Sequence, residues 1–381
     1  MPIPIIDSHI HLFPASHLPT LAWHGPNNPL ASEHCVGEYR LASSSSTPIA
    51  PDLTHPVYLR GFIFIETARI SAIEEESGDG WKHVLDEVSL IARIARGESI
   101  DGEQRDSIDY PPCLGIVPWA PVPAGAAVLE RYMARVKERA GTEDVWKKVR
   151  GVRYLTQDKP AGVMLQPGFV DGLKWLGRKG FVFGLGVDAR QGGLGQLREA
   201  VEMMKRVYEG VDEKEHVVMV IGMFSMSSIP LRVRPLTIHS DHLCKPNLRL
   251  PYESTTTHPE FLEWKTLITA MAQYPKTYMK LSGAFSELPS LSPTPEPDIS
   301  SLVDTLHPWT DAVFDAFGPE RVMFGSDWPV CNVGGGGNDA WRRWRRVVEG
   351  VLERRGLSEE QKRDVWGLVA MRAYGVEIGN Q

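Results

Sequence analysis

Short apolar runs alternate with longer amphipathic segments along the whole chain. The runs IPIID, GFIFIE, LGIVPW, VRGVRY, FVFGLGVD, TYMKLS and RVMFGS are rich in β-branched and aromatic residues and read as strands. Between them lie stretches with helical spacing. Residues 81–97, for example, have apolar residues at 84, 85, 88, 91, 92 and 95, a helical spacing. Similar patterns occupy 126–139, 169–180, 194–210, 259–274, 301–318 and 340–356. A last helix over 358–374 begins on Ser358 as N-cap, with Glu360 and Gln361 close behind. Strands that alternate with helices must run parallel. A strand count near eight in 381 residues points to a closed (β/α)8 TIM barrel, an α/β fold, rather than an open sheet.

The sixth strand is ambiguous. Residues 216–242 hold two apolar runs, HVVMVIGMF and PLTIHS, and either fits. No linker composition or repeat divides the chain, so one domain over 1–381 is expected. The Ser/Pro-rich stretches 42–56 and 287–298 read as loop insertions in it.

Net charge is −7 with a pI near 6.0, which offers no electrostatic basis for binding nucleic acid or an anionic membrane. The cluster Arg342, Arg343, Arg345 and Arg346, interleaved with Trp341 and Trp344, reads as the mixed face of a surface helix. Four scattered cysteines lack C-x-x-C spacing and suggest reduced thiols. No apolar run reaches membrane-spanning length, and the first strand begins by residue 3, leaving no room for a signal peptide. The expectation is a cytoplasmic protein with a small-molecule substrate. Its oligomeric state is not readable from the sequence.

The first strand ends in His9 and His11. Side chains at i and i+2 on a strand share a face. At the C-terminal end of a barrel strand that face is the mouth, where such folds place their chemistry. Two neighbouring imidazoles can share a metal ion or both donate to one anionic oxygen. Asp327 follows the last strand in GSDWP, as a mouth carboxylate or a turn residue. HSDHLCKP supplies Asp241 and His242, with His239 as a fallback imidazole. Three histidines and an aspartate can hold one Zn²⁺ and leave a position for water.

The segments DSHIH, RGVRYLTQD, DHLCKP, KLSG and GSDWPV stand in the order in which similar segments occur in the amidohydrolase-related TIM-barrel hydrolases. The chain most resembles their sugar-lactone branch, the L-rhamnono- and L-fucono-lactonases, with 2-pyrone-4,6-dicarboxylate lactonase as a cousin. The resemblance spans residues 5 to about 375. It implies that His9, His11, His242 and Asp327 gather at the mouth as ligands of one divalent metal, or work without metal. It also implies that Asp327 activates the attacking water and His242 takes part in catalysis. Arg153 matches an arginine that the family sets against substrate oxygens, and its planar fork suits that contact; Gln157 is a weaker companion.

By position, Glu66 ends the second strand, and Asp188 and Arg190 end the fifth. Each could face substrate or form an ion pair. GLGVDAR lacks the histidine that many metal-dependent relatives carry after the fifth strand, and Lys159 is poorly placed as a ligand. A two-metal site is therefore not expected. Trp23, His24, His34 and Tyr39 either line the pocket or cover the barrel's outer side. The leading expectation is a lactone hydrolase acting on a sugar-acid lactone. The alternatives are a metal-dependent decarboxylase of the same superfamily and a barrel that binds ligand without turnover.

Overall fold

Backbone hydrogen bonds close eight parallel strands into a ring. The computed structural model describes residues 3–25, 27–44, 57–73, 80–98, 111–157, 159–187, 194–222, 247–248, 250–292 and 296–378. The strands are β1 (Ile3–Ile10), β2 (Val57–Ile65), β3 (Cys113–Val117), β4 (Gly151–Leu155), β5 (Val182–Gly186), β6 (Val218–Gly222), β7 (Thr277–Leu281) and β8 (Val322–Phe324). They form two parallel ladders, β1-β2-β3 and β4 through β8 in chain order. Two seams join the ladders. Between β3 and β4, Ile116 N–H donates to Lys148 O at 2.7 Å and Arg153 N–H to Pro118 O at 2.9 Å. Between the β8 end and β1, Asp327 N–H donates to His9 O and His11 N–H to Trp328 O, both at 2.8 Å. The bridges at both seams are parallel, as barrel closure requires. The sixth strand comes from the first of the two apolar runs, HVVMVIGMF; the run PLTIHS lies outside the described residues.

Strand alternation sorts side chains into two layers. Phe62, Phe64, Val152, Tyr154, Met279, Leu281 and Phe324 face outward into the core shared with the helices. Ile6, Ile63, Ile65, Val117, Val182, Val220 and Met323 point inward and pack against Val369, Ala370, Ala373 and Tyr374. The C-terminal helix Val369–Tyr374 thus plugs the end where the strands begin. The Arg150 guanidinium, just before β4, donates to Tyr374 O at 2.5 Å and pins the plug. Burying one such aliphatic side chain contributes about 1.5–3 kcal/mol, so this end serves stability and leaves the opposite end for chemistry.

The outer helices stop where expected, as at Gly97 and Gly180, whose left-handed φ of 77° and 73° glycine adopts without a Cβ clash. Ser358 caps the last helical stretch in a capping box with Gln361, and a π-turn over Asp364–Leu368 interrupts it. The arginine-rich helix Ala340–Arg354 corrects the surface reading. Trp341, Trp344, Arg343 and Arg345 are buried, because two tryptophans and an aliphatic stripe turn that face inward. Arg343 and Arg346 pair with Glu296, Arg345 with Glu349 and Arg342 with Asp339, so each of the four arginines has a carboxylate partner within the chain. Among the described residues, no helix is long and apolar enough to cross a membrane.

Candidate active site

The loop that follows β8 is held almost peptide by peptide. Ser8 Oγ donates to Phe324 O at 2.6 Å, and Trp344 Nε1–H donates to Gly325 O at 2.9 Å. Ser326 N–H donates to Asp7 Oδ1 at 2.8 Å, and Asp327 N–H to His9 O at 2.8 Å. Gly325 fits here because a Cβ would lie 3.0 Å from that of His9. Asp327 sits at φ 59°, in the left-handed region, ahead of a cis Trp328–Pro329 bond. A side chain bearing a Cβ rarely stays there, and the cost is about 1–2 kcal/mol. The surrounding clamps hold it in place.

The result is a tight group of three. His9 Nε2 and His11 Nε2 each lie 3.4 Å from Asp327 Oδ1. The rings meet edge to face at a centroid distance of 4.9 Å. His9 and His11 flank Ile10, which packs outward, so both point into the barrel as the i, i+2 spacing requires. All three residues are essentially removed from solvent. Burial, then Lys280, His11 and Arg153, hold the His9 imidazole pKa well below its usual value, so His9 is neutral.

His11 Nδ1 lies 3.0 Å from Ile65 O and 2.9 Å from Glu66 O. Two carbonyls can only accept, so Nδ1 carries the proton. Nε2 is then left facing a carboxylate oxygen at 3.4 Å, a buried contact that calls for a cation or a proton between the two atoms. His9 Nε2, His11 Nε2 and both Asp327 carboxylate oxygens lack hydrogen-bond partners among the described residues. One ligand atom from each of the three residues falls within 4.8 Å of the others. Two imidazoles and a carboxylate, with His11 oriented by backbone carbonyls, fit a divalent transition metal such as zinc with an open coordination position.

Arg153 projects inward between the outward-packed Val152 and Tyr154. Its Nε donates to Glu66 Oε1 at 2.6 Å and its Nη2 to Glu66 O at 2.9 Å. Both side chains are buried, so the two mouth candidates pair with each other. Gln157 is buried at the β4 end, and its backbone carbonyl accepts from Gln196. His242, Asp188, Arg190 and the fallback His239 lie outside the described residues.

The first insertion divides its aromatic residues. Trp23 joins Phe13, Leu21, Leu30 and Val330 in a cluster beside the mouth, and its indole N–H donates to Thr67 O at 2.9 Å. His34 stands edge-on to Trp328. His24 is exposed, and Tyr39 lies behind the barrel wall against Phe62.

Two buried charges escaped the sequence reading. Asp7 accepts from Tyr39 OH at 2.9 Å, Trp341 Nε1–H at 2.8 Å and Ser326 N–H. Burial raises its carboxyl pKa, while the hydrogen bonds from Ser326, Trp341 and Tyr39 oppose the rise. Lys280 sits in β7 between the outward-packed Met279 and Leu281, and therefore inside the barrel. A charged residue flanked by apolar neighbours in a strand, the pattern that marks Arg153, was its signal.

The family profile described as Amidohydrolase matches residues 105–376. An L-rhamnono-gamma-lactonase of Scheffersomyces stipitis is 32% identical over 376 residues, covering 98% of this chain and 98% of the relative. An L-fucono-1,5-lactonase of Burkholderia multivorans is 32% identical over 136 residues, 36% of this chain and 42% of the relative. Among solved structures, a Burkholderia multivorans amidohydrolase with bound zinc superposes with a TM-score of 0.62 at 23% identity, covering 98% of this chain and 99% of that one. With that coverage, and with paired histidines and an aspartate at the mouth of a closed parallel barrel, the chain belongs to the amidohydrolase family.

Proposed function

We propose that the chain is a lactonase that opens the ring of a sugar-acid lactone by hydrolysis at the His9–His11–Asp327 site. The observation that carries this reading is the meeting of His9, His11 and a carboxylate that has no hydrogen-bond partner among the described residues, buried together in the barrel interior that also holds Arg153. The full-length likeness to an L-rhamnono-gamma-lactonase supplies the substrate class.

Asp327 has two oxygens with different surroundings. Oδ1 faces the histidines, which leaves Oδ2 to take a proton from water. The water oxygen bonds to the lactone carbonyl carbon as its proton passes to Asp327. The tetrahedral centre then collapses, the carbon–ring-oxygen bond breaks, and the proton passes from Asp327 to the departing oxygen. The product is a hydroxy acid that ionises and releases one proton. A divalent ion held by His9, His11 and Asp327 would supply Lewis-acid polarisation of the carbonyl. The Glu66 carboxylate fixes the Arg153 guanidinium in the wall, where it directs positive charge at substrate oxygens.

The test is acid release from a panel of aldono-1,4- and aldono-1,5-lactones. At least one should be turned over with kcat/KM on the order of 10⁴ M⁻¹s⁻¹ or higher. No acid release across the panel, with and without added zinc, would remove the lactonase reading.

A further inference from the structure

Lys280 is a buried lysine to which the reaction described above assigns no role. It is 4% exposed and lies inside the barrel. Among the described residues, no carboxylate lies within ion-pair distance of its ammonium. Among the described residues, it stands against the ring of Tyr374, with Nζ 5.4 Å from the ring centroid. Tyr374 belongs to the helix that plugs the barrel floor, so the π face supports the ammonium from below and takes none of its three N–H donors. Lys280 shares the barrel interior with His9, Arg153 and Asp327, and its charge is felt by His9 while Arg153 repels it and Asp327 attracts it. Burial, then Arg153, hold its pKa well below the usual lysine value.

A buried charge without a counter-ion works against folding. Residues that reduce stability in this way are commonly kept for function. The Arg153 fork is largely occupied by Glu66. Among the described residues, Lys280 is a cation inside the barrel whose N–H donors the Tyr374 ring leaves available.

We propose that Lys280 forms an anion subsite in the barrel interior that binds the carboxylate produced by ring opening. The ligand class is a small hydroxy-carboxylate, an aldonate. This rests on the lactonase reading for the origin of the anion, but the subsite can be tested without turnover. A neutral lactone offers Lys280 only dipolar oxygens, whereas the product offers a full negative charge. The subsite therefore favours product over substrate, and the product acts as a competitive inhibitor.

Calorimetric titration with sodium L-rhamnonate, L-fuconate and D-gluconate, run on the wild type, Lys280→Met and Lys280→Gln, tests this. At least one aldonate should bind the wild type, and both variants should bind it about 10-fold or more weakly, as expected for loss of one charge-assisted hydrogen bond. Both variants should melt no lower than the wild type. A strut role would instead lower the melting temperature and leave aldonate binding unchanged. Equal aldonate affinity in wild type and variants, no aldonate binding to the wild type, or loss of the fold in both variants would each overturn the proposal. Lysine-dependent aldonate binding without hydrolysis of any lactone would uphold the subsite and remove the lactonase reading.

Discussion

The amide of Ser326 donates to Asp7 Oδ1 at 2.8 Å, bridging 319 residues of sequence at the seam where the barrel closes. Asp7 lies two residues before His9, and Ser326 immediately precedes Asp327. One buried carboxylate therefore sets the relative position of the histidine strand and the acid loop. Tyr39 and Trp341 hold the other oxygen of that carboxylate. The position of the three-residue site is thus decided from behind the barrel wall, by groups that never reach the mouth.

Trp341→Phe should test that support. It keeps the aromatic bulk but removes one donor from a fully buried carboxylate, at a cost of about 1–3 kcal/mol. The melting temperature should fall by several degrees, and kcat should fall with it while KM stays close to wild type. Differential scanning calorimetry and steady-state lactone kinetics measure both effects. Wild-type stability would show that Asp7 does not depend on this bond.

Glu66→Gln should be more damaging than its conservative appearance suggests. It leaves the buried Arg153 guanidinium without its counter-charge, and breaking a buried pair this way costs about 3–5 kcal/mol. The double variant Glu66→Gln/Arg153→Met should recover much of the lost stability. Chemical denaturation of the two variants decides this; a Glu66→Gln midpoint equal to wild type would mean the pair is solvent-compensated.

Metal binding can be read without turnover. Zinc at a hundredfold excess over its dissociation constant should stabilise the metal-depleted protein by about 2.7 kcal/mol. His11→Ala should lose most of that response, because it removes both a proposed ligand and the contact to Ile65 O and Glu66 O. A thermal shift in zinc titrations reports it, and an undiminished shift in His11→Ala would place the metal elsewhere.

Stability should decline on mild acidification. The His17 pKa is lowered to about 4, by burial first and then by Arg69. The same group in the unfolded chain titrates near ~6.5. Below that value the unfolded state takes up a proton that the folded state refuses. The stability present above pH 6.5 is therefore progressively lost as pH falls toward 4. His9 and His34, whose pKa values are also lowered chiefly by burial, act in the same direction. Denaturation midpoints at pH 7.5 and 5 should differ less in His17→Gln than in the wild type; an identical difference would mean His17 titrates normally.

Much of the barrel was legible because strand and helix periods differ. Runs such as GFIFIE and TYMKLS carry their inward and outward parity openly. The shared face of His9 and His11 follows from that same parity. The sixth strand was ambiguous because two apolar runs satisfied one slot, and local pattern cannot tell which run pairs with β5 and β7. Asp7 was overlooked because its partners, Ser326 and Trp341, come from the far end of the chain. Trp341 reads in sequence as part of the mixed face of a surface helix because an exposed charged face and a buried, ion-paired one look alike in one dimension. Lys280 stood in plain sight in KLSG, but its meaning depends on Tyr374 rising from the barrel floor, a tertiary contact with no local signature.

The most direct test of the lactone-opening site is Asp327→Asn, assayed by acid release on the best lactone of the panel. Asparagine also tolerates the left-handed backbone that Asp327 adopts, so the fold should survive. The variant lacks only the carboxylate proposed to take the proton. With Asp327 as general base, kcat should fall by about 10²–10⁴-fold while circular dichroism stays that of the wild type. A well-folded Asp327→Asn protein that turns over the lactone within a few-fold of the wild-type rate would contradict the account.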